Sequence, residues 1–153
     1  MTLPTSDLVR ADQEHLIHPL HHPVDHAQPV IYVHGCGSTV RDVEGREYID
    51  GLAGLWNVNA GHGRAELAEA AAAQMKELAY FSGYVGSSNV PAITLAQRLI
   101  GLAPEMQAVF FTSGGAEANE SAFKTARFYW KALGEPGKVK VIARHHGYHG
   151  VTL

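Results

Sequence analysis

A single cysteine, Cys36, stands among 153 residues, so an internal disulfide framework is excluded and the chain suits a reducing compartment. Positive charge is also scarce. Twelve basic against 15 acidic side chains leave a formal net charge of −3, no electrostatic footprint for nucleic acid or an anionic membrane. Any anion bound here must be held locally. No stretch reaches the ~18 apolar residues of a membrane span, and the opening MTLPTSDLVRADQEHLIHP lacks both the basic start and the apolar run of a secretory signal. A cytoplasmic protein with no nucleic-acid or membrane partner is expected. Internal repeats and low-complexity tracts are absent too. The hydrophobic fraction of 46% and charged fraction of 18% are those of a globular chain, and the length suffices for a domain with its own core.

Three regions follow from the pattern of residues. Residues 1–28 are polar, with His15, His18, His21, His22 and His26 among Pro19 and Pro23, and read as an arm lying on something larger. Residues 29–60 begin with β-like runs, PVIYVHGCG and STVRDVEGREYID, around the turn signal Val43-Glu44-Gly45-Arg46; a small meander ending near Asp50 is predicted. The Gly- and Asn-rich GLAGLWNVNAGHG that follows suits an irregular segment better than a helix. Residues 61–153 open with two predicted helices. The first, 64–79, puts Leu67, Ala71, Met75 and Leu78 on one face; the second, 91–103, starts at Pro91 and turns Ile93, Leu95, Leu99 and Leu102 inward. The strand-like AVFFTS (108–113) runs through GGAEAN into a helix with the face Ala118, Ala122, Thr125, Ala126 and Tyr129. KVKVIAR (138–144) then supplies a second strand, so a right-handed βαβ unit of an α/β fold is expected.

Two motifs could carry chemistry. Ser113-Gly114-Gly115-Ala116-Glu117 joins strand to helix, where glycines let backbone N–H groups approach a ligand at the positive end of the helix dipole. A phosphate would be held there without lysine, although a tight steric turn needs the same glycines. The stretch lacks the Walker lysine and the dinucleotide spacing, which disfavours nucleotides. His145-His146-Gly147-Tyr148-His149-Gly150 follows the second strand, and ligands gather outside the carboxyl ends of strands in open α/β sheets. Tyr148 could lay its ring on a flat ligand. The histidines equally suit an exposed polar loop; their spacing allows zinc, but zinc wants four donors or three plus water and Cys36 is far away in sequence, so no metal is expected. Trp56, Phe81 and Tyr84 lie in Gly-rich loops, where aromatics serve as pocket walls or as core. The N-terminal histidines are read as surface residues.

In order, YIDGLAGLWNVNAGHG, a helix, the aromatic loop YFSGYVGSSN, FFTSGGAEANESAFKTAR and HHGYHG resemble the class III, or omega, aminotransferases of pyridoxal-phosphate (PLP) fold type I. The resemblance covers the chain from about Pro29 onward. It implies an arm and a β-meander segment of the small domain, then the start of the PLP-binding large domain with its mostly parallel sheet. It implies that Gly115 and Ala116, with Ser113 and Gly114, hold the PLP phosphate; Ala116 replaces the family's usual serine, so one hydroxyl bond is lost. Tyr148 would stack on the pyridine ring, with His149 and Gly150 completing that motif, while Glu117 and Asn119 brace the phosphate turn. Leu55, Trp56 and Tyr84 match the amine-donor pocket. The Schiff-base lysine is expected beyond Leu153, since Lys76, Lys124, Lys131, Lys138 and Lys140 match no such context; no catalytic residue is therefore assigned in this chain, which is expected to be inactive alone. The implied reaction moves an amino group from an omega-amino acid or primary amine to a keto acid, with pyruvate favoured, in a homodimer or higher homo-oligomer. An aminomutase, a decarboxylase or a non-catalytic N-terminal fragment are the alternatives.

Overall fold

The structure is a computed structural model that describes residues 4–19, 22, 24 and 27–152. It divides into two compact units, Met1–Tyr80 and Phe81–Leu153.

The first unit opens with α1 (Thr5–His15), inside the stretch read as an arm. Asp7 in its first turn and His15 in its last complement the helix dipole, and Arg10 donates to Asp7 at 3.1 Å. Its apolar residues are few, Leu8, Val9 and Ala11, so hydrophobic periodicity does not find it. Gln13 Nε2 donates to the Ala27 carbonyl at 2.9 Å. His21 and His26 lie outside the described residues.

The predicted meander is present. Strands β1 (Tyr32–Cys36), β2 (Thr39–Asp42) and β3 (Glu47–Ile49) pair antiparallel in the order β1-β2-β3, with a bulge in β1 between Tyr32 and His34. The predicted β2–β3 turn contains Gly45 at φ 85°, a left-handed position that glycine fills at little cost. Beneath that turn lies Asp42, 2% exposed. Its Oδ1 accepts from the Glu44 and Arg46 N–H groups at 2.9 Å each; its Oδ2 accepts from Arg46 Nε at 2.7 Å and Tyr48 Oη at 2.8 Å. Burial pushes this carboxyl up, but the bonds from Arg46, Tyr48 and the two backbone groups outweigh it and lower its pKa to about 2. After a four-residue helical turn, α2 (Ala53–Trp56), the unit ends in α3 (Ala65–Leu78).

The second unit contains a single 3-10 turn (Tyr84–Gly86), α4 (Val90–Leu102) and α5 (Gly115–Ala132). Asn89 caps α4, its Oδ1 accepting from Ala92 N at 3.0 Å, with Pro91 just inside the helix. The chain reverses after α5 through Gly134 at φ 83°, and Arg127 Nε donates to the Val139 carbonyl at 2.9 Å. Lys138 Nζ sits 3.6 Å from the centre of the Trp130 ring.

Two expectations need correction. Segments 108–113 and 138–144 do not form strands with each other or with any other described residue. Apolar, β-branched composition suits a strand buried on both faces, but a ladder also requires a neighbour. Nor do the helices bury the predicted faces: among the described residues no hydrophobic side chain is buried. The whole of α3 is exposed, as are Ile93, Leu95, Leu99 and Leu102 of α4. On α5 the face Ala118, Ala122, Thr125, Ala126 and Tyr129 is exposed, while Ala116, Glu120, Ser121 and Phe123 are partly shielded. Amphipathic periodicity identifies the side of a helix that suits a partner; it does not supply the partner. Among the described residues, no helix is long and apolar enough to cross a membrane.

Candidate functional site

The first turn of α5 leaves the N–H groups of Gly115, Ala116 and Glu117 without acceptors among the described residues; the helix ladder begins with Ala118 N donating to the Gly114 carbonyl at 3.0 Å. One donor just before the helix is already used, since Ser113 N donates to Glu117 Oε2 at 2.9 Å. Thr112 Oγ1 donates to the Gly114 carbonyl at 3.0 Å. A Cβ built on Gly114 or Gly115 would meet nothing within 4 Å, so their bareness answers no crowding from within the chain. Open space beside unpaired donors at a helix N-terminus fits a phosphate.

The HHGYHG loop closes on the same helix end. Asn119 Nδ2 donates to the His149 carbonyl at 2.9 Å across 30 positions of sequence, and Phe123 packs edge-on against the His149 ring at 6.4 Å. At Gly150, φ 118°, a Cβ would fall 2.7 Å from Ala116 Cα, so only glycine permits this approach. Gly147 N donates to the Arg144 carbonyl at 2.9 Å, closing a turn in which His146 sits at φ 56°. Tyr148, just past that turn, is 80% exposed. The structure thus brings together Ser113, Gly114, Gly115, Ala116, Glu117, Asn119, His149 and Gly150, with Tyr148 at their edge. Phe123, absent from the sequence reading, belongs to this cluster; its place one helical turn after Asn119 was the available signal. The His145 and His146 rings lie against each other, tilted by 57° with ring centres 4.0 Å apart. Among the described residues no group of three or more His, Cys, Asp or Glu is placed to hold a metal ion.

Tyr84 stands in the separate 3-10 turn, exposed, its backbone N–H donating to Ser82 Oγ at 3.1 Å. Leu55 and Trp56 belong to the first unit and to α2, which differs from both a loop and an ordinary helix. Its residues Ala53, Gly54, Leu55 and Trp56 all have positive φ (49°, 59°, 64° and 67°). Trp56 N nevertheless donates to the Leu52 carbonyl at 2.8 Å and Asn57 N to the Ala53 carbonyl at 2.9 Å. This is one left-handed helical turn, a conformation that costs an L-residue roughly 1–2 kcal/mol at each position.

Asp50 holds this turn from below. Its Oδ2 accepts from Gly54 N at 2.8 Å and from His62 Nε2 at 2.7 Å, and its Oδ1 accepts from Leu52 N at 3.3 Å. The bond from His62, reinforced by that from Gly54, holds the Asp50 carboxyl below the usual carboxylate range. His62 is fixed in turn by exchanging backbone hydrogen bonds with Gly37 at 3.0 and 2.8 Å. Its ring covers Gly35, where a Cβ would lie 2.6 Å from His62 Cγ. The sequence reading missed both Asp50 and His62.

Known proteins share this architecture. The sequence model of the family Aminotransferase class-III matches residues 21–153. A probable aminotransferase of Mycobacterium tuberculosis is 50% identical over 137 residues, covering 89% of this chain and 29% of that protein. The diaminobutyrate–2-oxoglutarate transaminase of Halomonas elongata is 42% identical, covering 94% and 32%. The taurine–pyruvate aminotransferase of Bilophila wadsworthia is 37% identical, covering 100% and 33%. Among solved structures, a transaminase from the marine bacterium Virgibacillus superposes with a TM-score of 0.91 at 48% identity over 95% of this chain and 34% of that one. An amine transaminase from an uncultivated Pseudomonas species, solved in its PLP-bound form, gives 0.85 at 40% over 90% and 32%. The chain therefore spans about a third of the length of these relatives. Its fold is that of the N-terminal segment of a PLP fold type I transaminase. From the meander to the glycine turn at the head of α5, this chain belongs to the class III aminotransferases.

Proposed function

We propose that the protein carrying this chain binds PLP and transfers an amino group from an omega-amino acid or primary amine to a keto acid, with pyruvate the preferred acceptor. The observation that carries this reading is the pairing of unused N–H donors at the head of α5 with the HHGYHG loop packed against them through Asn119 and Gly150. In this reading Gly115 and Ala116 hold the phosphate through backbone N–H groups, and Ser113 and Gly114 shape the turn. Glu117 braces that turn, while His149 and Gly150 seat the loop that presents Tyr148 to the flat face of the cofactor ring. When bound, PLP supplies the conjugated electron sink that the transfer requires. Leu55, Trp56 and Tyr84 are each taken as contacts of the amine donor. No lysine of this chain is assigned as the cofactor's covalent anchor, and that lysine is taken to lie beyond residue 153. Residues 1–28, 29–60 and 61–153 are taken as the arm, the meander segment and the first part of the PLP-binding domain, and the working assembly as a homodimer or higher homo-oligomer.

The names of relatives support both kinds of acceptor: taurine–pyruvate and putrescine–pyruvate aminotransferases on one side, a diaminobutyrate–2-oxoglutarate transaminase on the other. Pyruvate is favoured because Trp56 and Tyr84 match the pyruvate-using branch in the family resemblance. The test supplies the holoenzyme with a panel of primary amines and omega-amino acids, and measures alanine formed from pyruvate against glutamate formed from 2-oxoglutarate. Alanine as the dominant product is expected. Predominant glutamate overturns the acceptor; release of CO2 or an isomerised amine with neither product overturns the reaction.

A further inference from the structure

The left-handed turn α2 raises a question that the phosphate site does not answer: what holds Ala53, Leu55 and Trp56 in a backbone conformation that L-residues avoid. Packing does not, since Leu55 and Trp56 are 66% and 71% exposed. Hydrogen bonds internal to the turn do not suffice, because the same i to i−4 pattern is available right-handed at lower cost. Two side-chain restraints remain: Asn57, at the end of the turn, donates from Nδ2 to the Leu55 carbonyl at 3.1 Å, and Asp50, reaching in from the meander, accepts from the N–H groups of Leu52, just before the turn, and of Gly54 within it. Asp50 is itself tied down on two sides. Its N–H donates to the Ser38 carbonyl at 2.8 Å, and its Oδ2 takes the His62 Nε2 bond. His62 is locked to the β1–β2 hairpin through Gly37, with its ring pressed on Gly35. The path from sheet to turn thus runs Gly37, His62, Asp50, Gly54, with a hydrogen bond or covalent bond at each step.

We propose that Asp50 and His62 are a positioning pair: the carboxylate, braced by the imidazole, locks the left-handed turn and so fixes where Leu55 and Trp56 meet the amine donor. The inference rests on the reading of those two residues as contacts of the amine donor and deepens it. Neither member of the pair touches substrate in this scheme. A glycine or asparagine would suit positions 53, 55 and 56 better for backbone reasons alone, so the turn is kept for what it presents.

The experiment uses the holoenzyme labelled with 5-fluorotryptophan, the Trp56 line being assigned by its loss in Trp56→Phe. Two variants weaken the pair with little change of shape: Asp50→Asn removes the charge, and His62→Phe keeps a ring over Gly35 while removing the donor. Both are expected to broaden or split the Trp56 line and to raise the KM for the amine about 10-fold, the factor that one charge-assisted hydrogen bond commands, with PLP content unchanged. Adding Ala53→Gly to Asp50→Asn lowers the cost of the left-handed backbone at a position outside the pocket, and is expected to recover a large part of both effects. An unchanged Trp56 line in both variants overturns the inference. So does loss of bound PLP that Ala53→Gly does not relieve, because the pair would then support the fold rather than the turn. A disturbed line with an unchanged amine KM sustains the lock and overturns the pocket reading instead.

Discussion

At the scale of single residues, Gly115 and Tyr148 separate the two halves of the proposed cofactor site. A side chain at 115 meets nothing within the chain, so Gly115→Val leaves the local fold room and obstructs only what approaches from outside. PLP retention is expected to fall about 10-fold or more, since a hydrogen bond to a charged group is worth ~1.5–3 kcal/mol. Unchanged PLP affinity, read by equilibrium dialysis of the holoenzyme, rules out the phosphate assignment. At Tyr148, replacement by Phe keeps the ring and most of the binding. Replacement by Ala costs ~1–3 kcal/mol, by analogy with bases stacked on aromatic side chains. Equal affinities for the two variants mean the ring makes no contact. Residues this close in sequence were legible: Ser113 to Glu117 form one turn, and the Glu117 brace spans four positions. The bond from Asn119 to the His149 carbonyl spans 30 positions and that from His62 to Asp50 spans 12, distances at which spacing in one dimension carries no information about contact.

At the scale of elements, the meander is held by a buried carboxylate, and this gives it a pH dependence of definite sign. The Asp42 pKa lies at about 2 in the fold, below its ordinary 3.8, so the folded state binds its proton less readily than the unfolded chain. The stabilisation is complete above pH 3.8, declines as pH falls towards about 2, and is absent below that. Thermal midpoints of the holoenzyme across this window are expected to fall with acid, and Asp42→Asn to lower the midpoint at neutral pH and flatten the fall. An identical acid slope in the variant removes Asp42 from the account. The meander was legible because apolar alternation and a glycine turn are local signals, and α3, α4 and α5 because their periodicity is long. The helix α1 was not, since its apolar residues, Leu8, Val9 and Ala11, are too few to make a readable pattern. Nor was α2, whose handedness depends on Asp50 and His62.

At the scale of the whole molecule, the described residues expose apolar side chains on α3, α4 and α5, together with Phe110 and Ile142. Produced by itself, this stretch is expected to bind a hydrophobic dye and to self-associate, as contiguous exposed apolar surface does. With PLP and an amine it should form no alanine from pyruvate, and borohydride should fix the cofactor to no one lysine in particular. Turnover together with a reduced adduct on a single lysine of this stretch would falsify the placement of the anchoring lysine elsewhere. The class of fold was legible from the order of motifs; that no hydrophobic side chain among the described residues is buried was not, because composition counts apolar residues without saying what covers them. That exposure reaches into calorimetry. Unfolding raises heat capacity by about 0.45 cal/mol/K for each Å² of apolar surface newly wetted, and water already reaches the side chains of Leu102, Phe110 and Ile142. Heating the isolated stretch therefore releases little further apolar surface, and its trace should be a shallow, drawn-out rise in place of the sharp endotherm of a cooperative domain.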